Sequence, residues 1–99
     1  MNHIDHSTVA TVINLLPTPF DAHILEKRLL RLHAVAVASE IIEFNHTGDA
    51  LHQFSAALAR WVDREFRGQI RQTRKVVSEN LGGERSQNQE WEKIANQIT

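Results

Sequence analysis

Two prolines and four glycines are the only strong breaks in this 99-residue chain, and their placement limits how many elements it can hold. Pro17 and Pro19 bracket the first break, Gly48 marks the second, Gly68 the third, and the Gly82-Gly83 pair the fourth. The segments between them suit single helices, and there is no internal repeat or low-complexity tract. The expected fold is one domain over residues 1–99, an all-α compact bundle of about five short helices.

Ser7 is a plausible N-cap for the first helix, because Val9, Val12, Ile13 and Leu16 follow at i, i+3, i+4 and i+7. The Val, Ile and Thr content of this segment also suits a strand, and Pro17 ends it either way. Asp21 caps a longer helix over 21–44, with Phe20 and Leu25 at the positions of a hydrophobic staple. Leu25, Leu29, Leu32 and Ala36 form one apolar stripe on it; Leu30, Ala34, Val37, Ile41 and Phe44 form another. A helix apolar on two faces is expected to be central and buried over much of its length.

A third helix begins near Thr47 or Asp49, with Leu51, Phe54, Leu58, Trp61 and Val62 facing the core. Downstream, the apolar set Phe66, Ile70, Thr73 and Val77 is rotated by roughly 100° around the axis, which predicts a bend near Arg67-Gly68. A separate helix then runs from about Gln69 to Leu81 and stops at Gly82. Ser86-Gln87-Asn88-Gln89 has capping-box spacing and opens a last helix carrying Trp91, Ile94, Ala95 and Ile98. The alternative is a winged helix-turn-helix with a C-terminal β-hairpin, in which Lys75–Leu81 and Glu84–Ile94 are strands joined at Gly82-Gly83. The poor alternation of apolar residues there favours helices.

The apolar fraction, 41%, argues against disorder, and no apolar run approaches the roughly 20 residues that span a bilayer. With no cysteine, thiolate nucleophiles and Cys-based metal sites are excluded. The N-terminal residues lack the pattern of a secretory signal, so the expected location is cytoplasmic. Net charge is −1, but it is unevenly spread: −3 over residues 1–59, +4 over 60–75 and −2 over 76–99.

That basic island carries the functional expectation. Arg60, Arg64, Arg67, Arg71, Arg74 and Lys75 recur every three to four residues, so on a helix they make a row suited to phosphates. The competing reading is a solvated face partly neutralised by Asp63 and Glu65. Residues 74–94 can also be laid over a helix-turn-helix, with Gly82 in the turn and Val77, Leu81 and Trp91 as anchors. Arg85, Gln87 and Asn88 then occupy the end of the second helix where base-reading side chains belong. The expected nucleic-acid-binding residues are therefore Arg67, Arg71, Arg74, Lys75, Arg85, Gln87 and Asn88.

Other chemistry is poorly supported. His3, Asp5 and His6, and again His46, Asp49 and His52, are close in sequence without a metal-ligand spacing, and no metal or other cofactor is expected. No nucleophile elbow or phosphate-binding glycine loop occurs, and Glu40 and Glu43 fit a solvated helix face; no enzymatic activity is expected. Trp61 and Trp91 lie on apolar faces and are expected in the core. The chain reads as a small nucleic-acid-binding protein, a dimeric helix-turn-helix-like regulator. The alternative is a helical protein-interaction module that buries surplus apolar surface against a protein partner or in a homodimer, with no role at a membrane.

Overall fold

Asp5, rather than Ser7, caps the first helix: its carboxylate accepts a hydrogen bond from Thr8 N at 2.8 Å, and α1 spans His6–Leu15. The computed structural model describes residues 1–99. Val9, Val12 and Ile13 are buried on α1 as their spacing predicts. After a cis Thr18–Pro19 peptide, β1 (Phe20–Asp21) is a strand of two residues, and Asp21 also caps α2 (Ala22–Leu32) by accepting from Ile24 N at 2.9 Å.

The single helix expected over 21–44 is two helices. The chain leaves helical geometry at His33 (φ −138°, ψ 52°), and α3 (Ala34–Ile42) follows as a separate helix. The break lets the two apolar stripes be used in succession. Leu25 and Leu29 of the first stripe are buried from α2, and Val37 of the second is buried from α3. A short 3-10 turn at Asn45–Thr47 leads through Gly48 to α4 (Ala50–Glu65), whose N-cap Asp49 accepts from His52 N at 3.3 Å. Phe54, Leu58, Trp61 and Val62 are the buried face of α4, as expected, whereas Leu51 is exposed.

The break at Gly68 is real, and the glycine sits at φ +88°, where a side chain would be strained. The segment beyond this glycine overturns the all-α expectation. β2 (Ile70–Glu79) and β3 (Arg85–Lys93) pair antiparallel in place of the helices expected over 69–81 and from Ser86. Phe20 of β1 pairs with Trp91, giving a three-stranded sheet in the order β1-β3-β2. The chain is thus α+β, and it fits the winged helix-turn-helix alternative better than a bundle. The helix-turn-helix laid over 74–94 is absent, because those residues form the hairpin.

Only Phe20, Ile70 and Trp91 of the sheet join the apolar core. Trp91 is fully buried, 5.6 Å from the Phe20 ring, and its indole N–H donates to Asp63 Oδ1 at 3.1 Å. One end of the hairpin is therefore fixed to the core, and at the other Leu81, half-buried beside Gly82-Gly83, packs against it as well. The C-terminal residues fold back onto α1: Asn14 exchanges two hydrogen bonds with the Ile98 backbone, at 2.8 and 2.9 Å. No helix is long and apolar enough to cross a membrane.

Candidate functional site

Strand alternation separates residues that a helix would have brought together. Arg85 lies opposite Glu79, Gln87 opposite Val77 and Asn88 opposite Val76, so Arg85 and Gln87 share one face of β3 and Asn88 takes the other. Arg85 and Gln87 are exposed, and the Arg85 guanidinium donates to Val77 O at 3.4 Å. Asn88 is 9% exposed and saturated. Its oxygen accepts from His23 N at 3.0 Å, and its amide donates to Val76 O and Ser78 Oγ. It fastens the hairpin to α2 and presents nothing to a base.

The arginine row breaks up for the same reason. Arg60 and Arg64 are exposed on the last turns of α4, Arg67 lies in the turn after it, and Arg71, Arg74 and Lys75 stand on β2. Arg71 is paired with Glu92 and Arg74 with Glu90, the latter at 3.3 Å. The Arg74–Glu90 pair sits at a bulge between Gln72 and Lys75, where Thr73 Oγ1 also donates to Glu90 Oε1 at 2.7 Å. Arg60, Arg64, Arg67, Lys75 and Arg85 have no carboxylate within ion-pair distance.

Two of these free cations, Arg60 and Lys75, line a cleft of about 820 Å³ between α2, α4 and the hairpin. Gln87 and Asn88 line it as well, so the cleft brings together Lys75, Gln87 and Asn88 from the expected set and leaves out Arg67, Arg71, Arg74 and Arg85. Its mouth also carries Asp49, His52 and Glu84. The floor is polar and buried. His23 Nδ1 meets Ser78 O and Oγ at 3.1 Å, and burial lowers the imidazole pKa, favouring the neutral ring. The Gln89 amide donates to Arg74 O and Glu90 O.

Glu26 is the exception on that floor. It is 1% exposed, and neither carboxylate oxygen has a hydrogen-bond partner. Burial pushes its pKa up to about 7, against the opposing pull of the nearby Ser55 hydroxyl. Sequence reasoning passed over this residue, although a signal was present. Ala22, Leu25, Glu26 and Leu29 fall at i, i+3, i+4 and i+7, which places a carboxyl inside the buried arc of α2.

The N-terminal histidines are occupied locally. His3 pairs with Glu43 at 2.9 Å; His6 pairs with Glu65 at 3.2 Å, meets Thr99 O at 2.9 Å and stacks on Phe66. These contacts raise the His6 pKa, chiefly through the Thr99 carbonyl. No three His, Asp or Glu side chains converge in a way that would hold a metal ion. No protein-family model, curated protein or solved structure matches this chain.

Proposed function

We propose that the chain is a non-enzymatic nucleic-acid-binding module that engages a polyanion between α4 and the hairpin. The observation that carries this reading is that Arg60 of α4 and Lys75 of β2, cations without an acid partner, line one cleft. A helix and a two-stranded ribbon are the two shapes that grooves of duplex DNA admit, and this fold sets one beside the other. Arg64 and Arg67 extend the positive charge past the C-terminal end of α4, and Arg85 with Gln87 extends the polar surface along β3. Arg71 and Arg74 contribute less than their number suggests, because Glu92 and Glu90 neutralise them.

Fluorescence anisotropy with random duplex and single-stranded DNA across a salt series tests the proposal. Binding is expected to weaken steeply with salt, since each neutralised phosphate releases counterions. The pair Arg60→Glu and Lys75→Glu is expected to abolish binding with the circular dichroism spectrum unchanged, while Arg71→Glu with Arg74→Glu retains part of it. A salt-independent or absent signal for the wild type overturns the proposal.

A second reading, self-association, is favoured by a separate observation. Val35 is 82% exposed and Ile42 63% exposed on α3, an apolar surface unrelated to the cleft.

A further inference from the structure

The grip on a polyanion leaves the floor of the cleft unexplained. A polyanion has no use for a buried carboxyl, and the other buried polar groups there are engaged: Asn88 with α2 and the hairpin backbone, Gln89 with two carbonyls, His23 with Ser78. Glu26 alone has both oxygens vacant. A buried polar group without a partner is costly to maintain, and a carboxylate is most fully compensated by a charged N–H donor.

The walls carry both signs, with Arg60 and Lys75 beside Asp49 and Glu84, and neither cation has an acid partner within ion-pair distance. On α4, Arg60 lies five residues beyond Ser55, the hydroxyl beside Glu26, an axial rise of roughly 7.5 Å with a turn of roughly 140° about the helix axis. The volume of the cleft, about 820 Å³, lies within the roughly 300–1,000 Å³ of small-molecule sites.

We propose that this cleft binds a small basic amino acid, its side-chain cation seated on Glu26 and its carboxylate held by Arg60 and Lys75. This assignment does not rest on the nucleic-acid reading, and its test contains no nucleic acid.

Titration calorimetry of the full chain with L-arginine, and with agmatine, which is arginine without its carboxylate, tests both ends of the site. L-Arginine is expected to bind one equivalent, agmatine at least tenfold more weakly. Glu26→Gln is expected to weaken L-arginine at least tenfold. Arg60→Ala with Lys75→Ala is expected to remove the preference for L-arginine over agmatine.

Seating a cation on Glu26 also favours its ionised form, so binding at pH 7 releases protons, read as a heat that differs between two buffers of unlike ionisation enthalpy. The other titratable groups lining the cleft are His23 from α2, Asp49, His52 and Arg60 from α4 or its cap, and Lys75 and Glu84 from the hairpin. Subtracting the release seen with Glu26→Gln isolates the Glu26 proton from these. Failure of the wild type to bind L-arginine, equal affinity for agmatine, or undiminished binding by folded Glu26→Gln overturns the proposal. If that variant does not fold, wild-type binding without proton release does so.

Discussion

Glu26 links burial to pH in a direction that can be worked out from its surroundings. Its carboxyl titrates near the ordinary 4.5 when unfolded and at about 7 when folded, because desolvation penalises the charged form. Between those values the folded chain holds a proton that the unfolded chain has released. The stability this represents is fully present below pH 4.5 and lost as pH rises through 7, about 3 kcal/mol in all. His23 acts in the other sense: burial lowers its pKa, so its contribution is present above pH 6.5 and lost as pH falls through the lowered value. Glu26→Gln separates the two, since it removes one slope and leaves the other. In urea unfolding the variant is expected to gain about 1–3 kcal/mol on the wild type between pH 5 and pH 8, with the wider gap at pH 8. An equal difference at both pH values would show that Glu26 is solvated. The residue was legible as a member of a buried arc, but its lack of a partner was not, because that depends on Ser55 and the hairpin arriving from elsewhere in the chain.

At the scale of elements, the Asp21 cap and two of the glycine breaks were readable, the Asp5 cap and the His33 break were not, and the hairpin was readable only as the alternative. Asp21 and the Gly48 and Gly68 breaks act locally, so a few neighbouring residues determine them. Recognising β2 and β3 as strands from sequence depends on apolar residues alternating with polar ones, and here that alternation is missing for a physical reason. Between the Ile70–Trp91 end and Leu81 at the turn the hairpin buries no apolar side chain, and the buried residues Asn88 and Gln89 are themselves polar. The Thr73-Arg74 bulge shifts the register midway and removes what period remained. Phe66, Ile70, Thr73 and Val77 then mimic a helical spacing by coincidence of a turn, a core anchor and a bulge. The turn itself is held by backbone bonds from Asn80 N to Glu84 O and from Gly83 N to Asn80 O, with Gly83 at φ +83°. Asn88 ties this element to α2. Asn88→Ala leaves His23 N without its acceptor and is expected to cost roughly 1–3 kcal/mol of stability. The folded variant should bind DNA with wild-type affinity; a loss of affinity at unchanged stability would return Asn88 to the role of a base reader.

Across the whole molecule the two most exposed large apolar side chains, Val35 and Ile42, both lie on α3, and magnitude decides what they can support. Val35, Ala38 and Ile42 lie at i, i+3 and i+7 on one exposed face, while Val37 and Glu40 turn inward. Neither apolar stripe read along 21–44 contains Val35 or Ile42, and the break at His33 leaves that division intact, since Ala36, Val37, Ile41 and Phe44 of the stripes all pack against the core. A two-fold contact between copies would bury four large side chains, Val35 and Ile42 from each. At about 2 kcal/mol per side chain that is about 8 kcal/mol, set against roughly 4–15 kcal/mol for lost translational and rotational freedom. The stripe alone therefore supports at most a dimer with a Kd near about 1 mM. Sedimentation equilibrium is expected to give the 11.3 kDa monomer at low micromolar concentration and a rising average mass only as the concentration nears about 1 mM. Val35→Glu with Ile42→Glu should hold the monomer mass throughout, with the helical spectrum intact because neither side chain is buried. A tight dimer already present at micromolar concentration would require more surface than α3 offers. If the double variant retained that dimer, the interface would lie elsewhere on the molecule, and the apolar face of α3 would have no part in it.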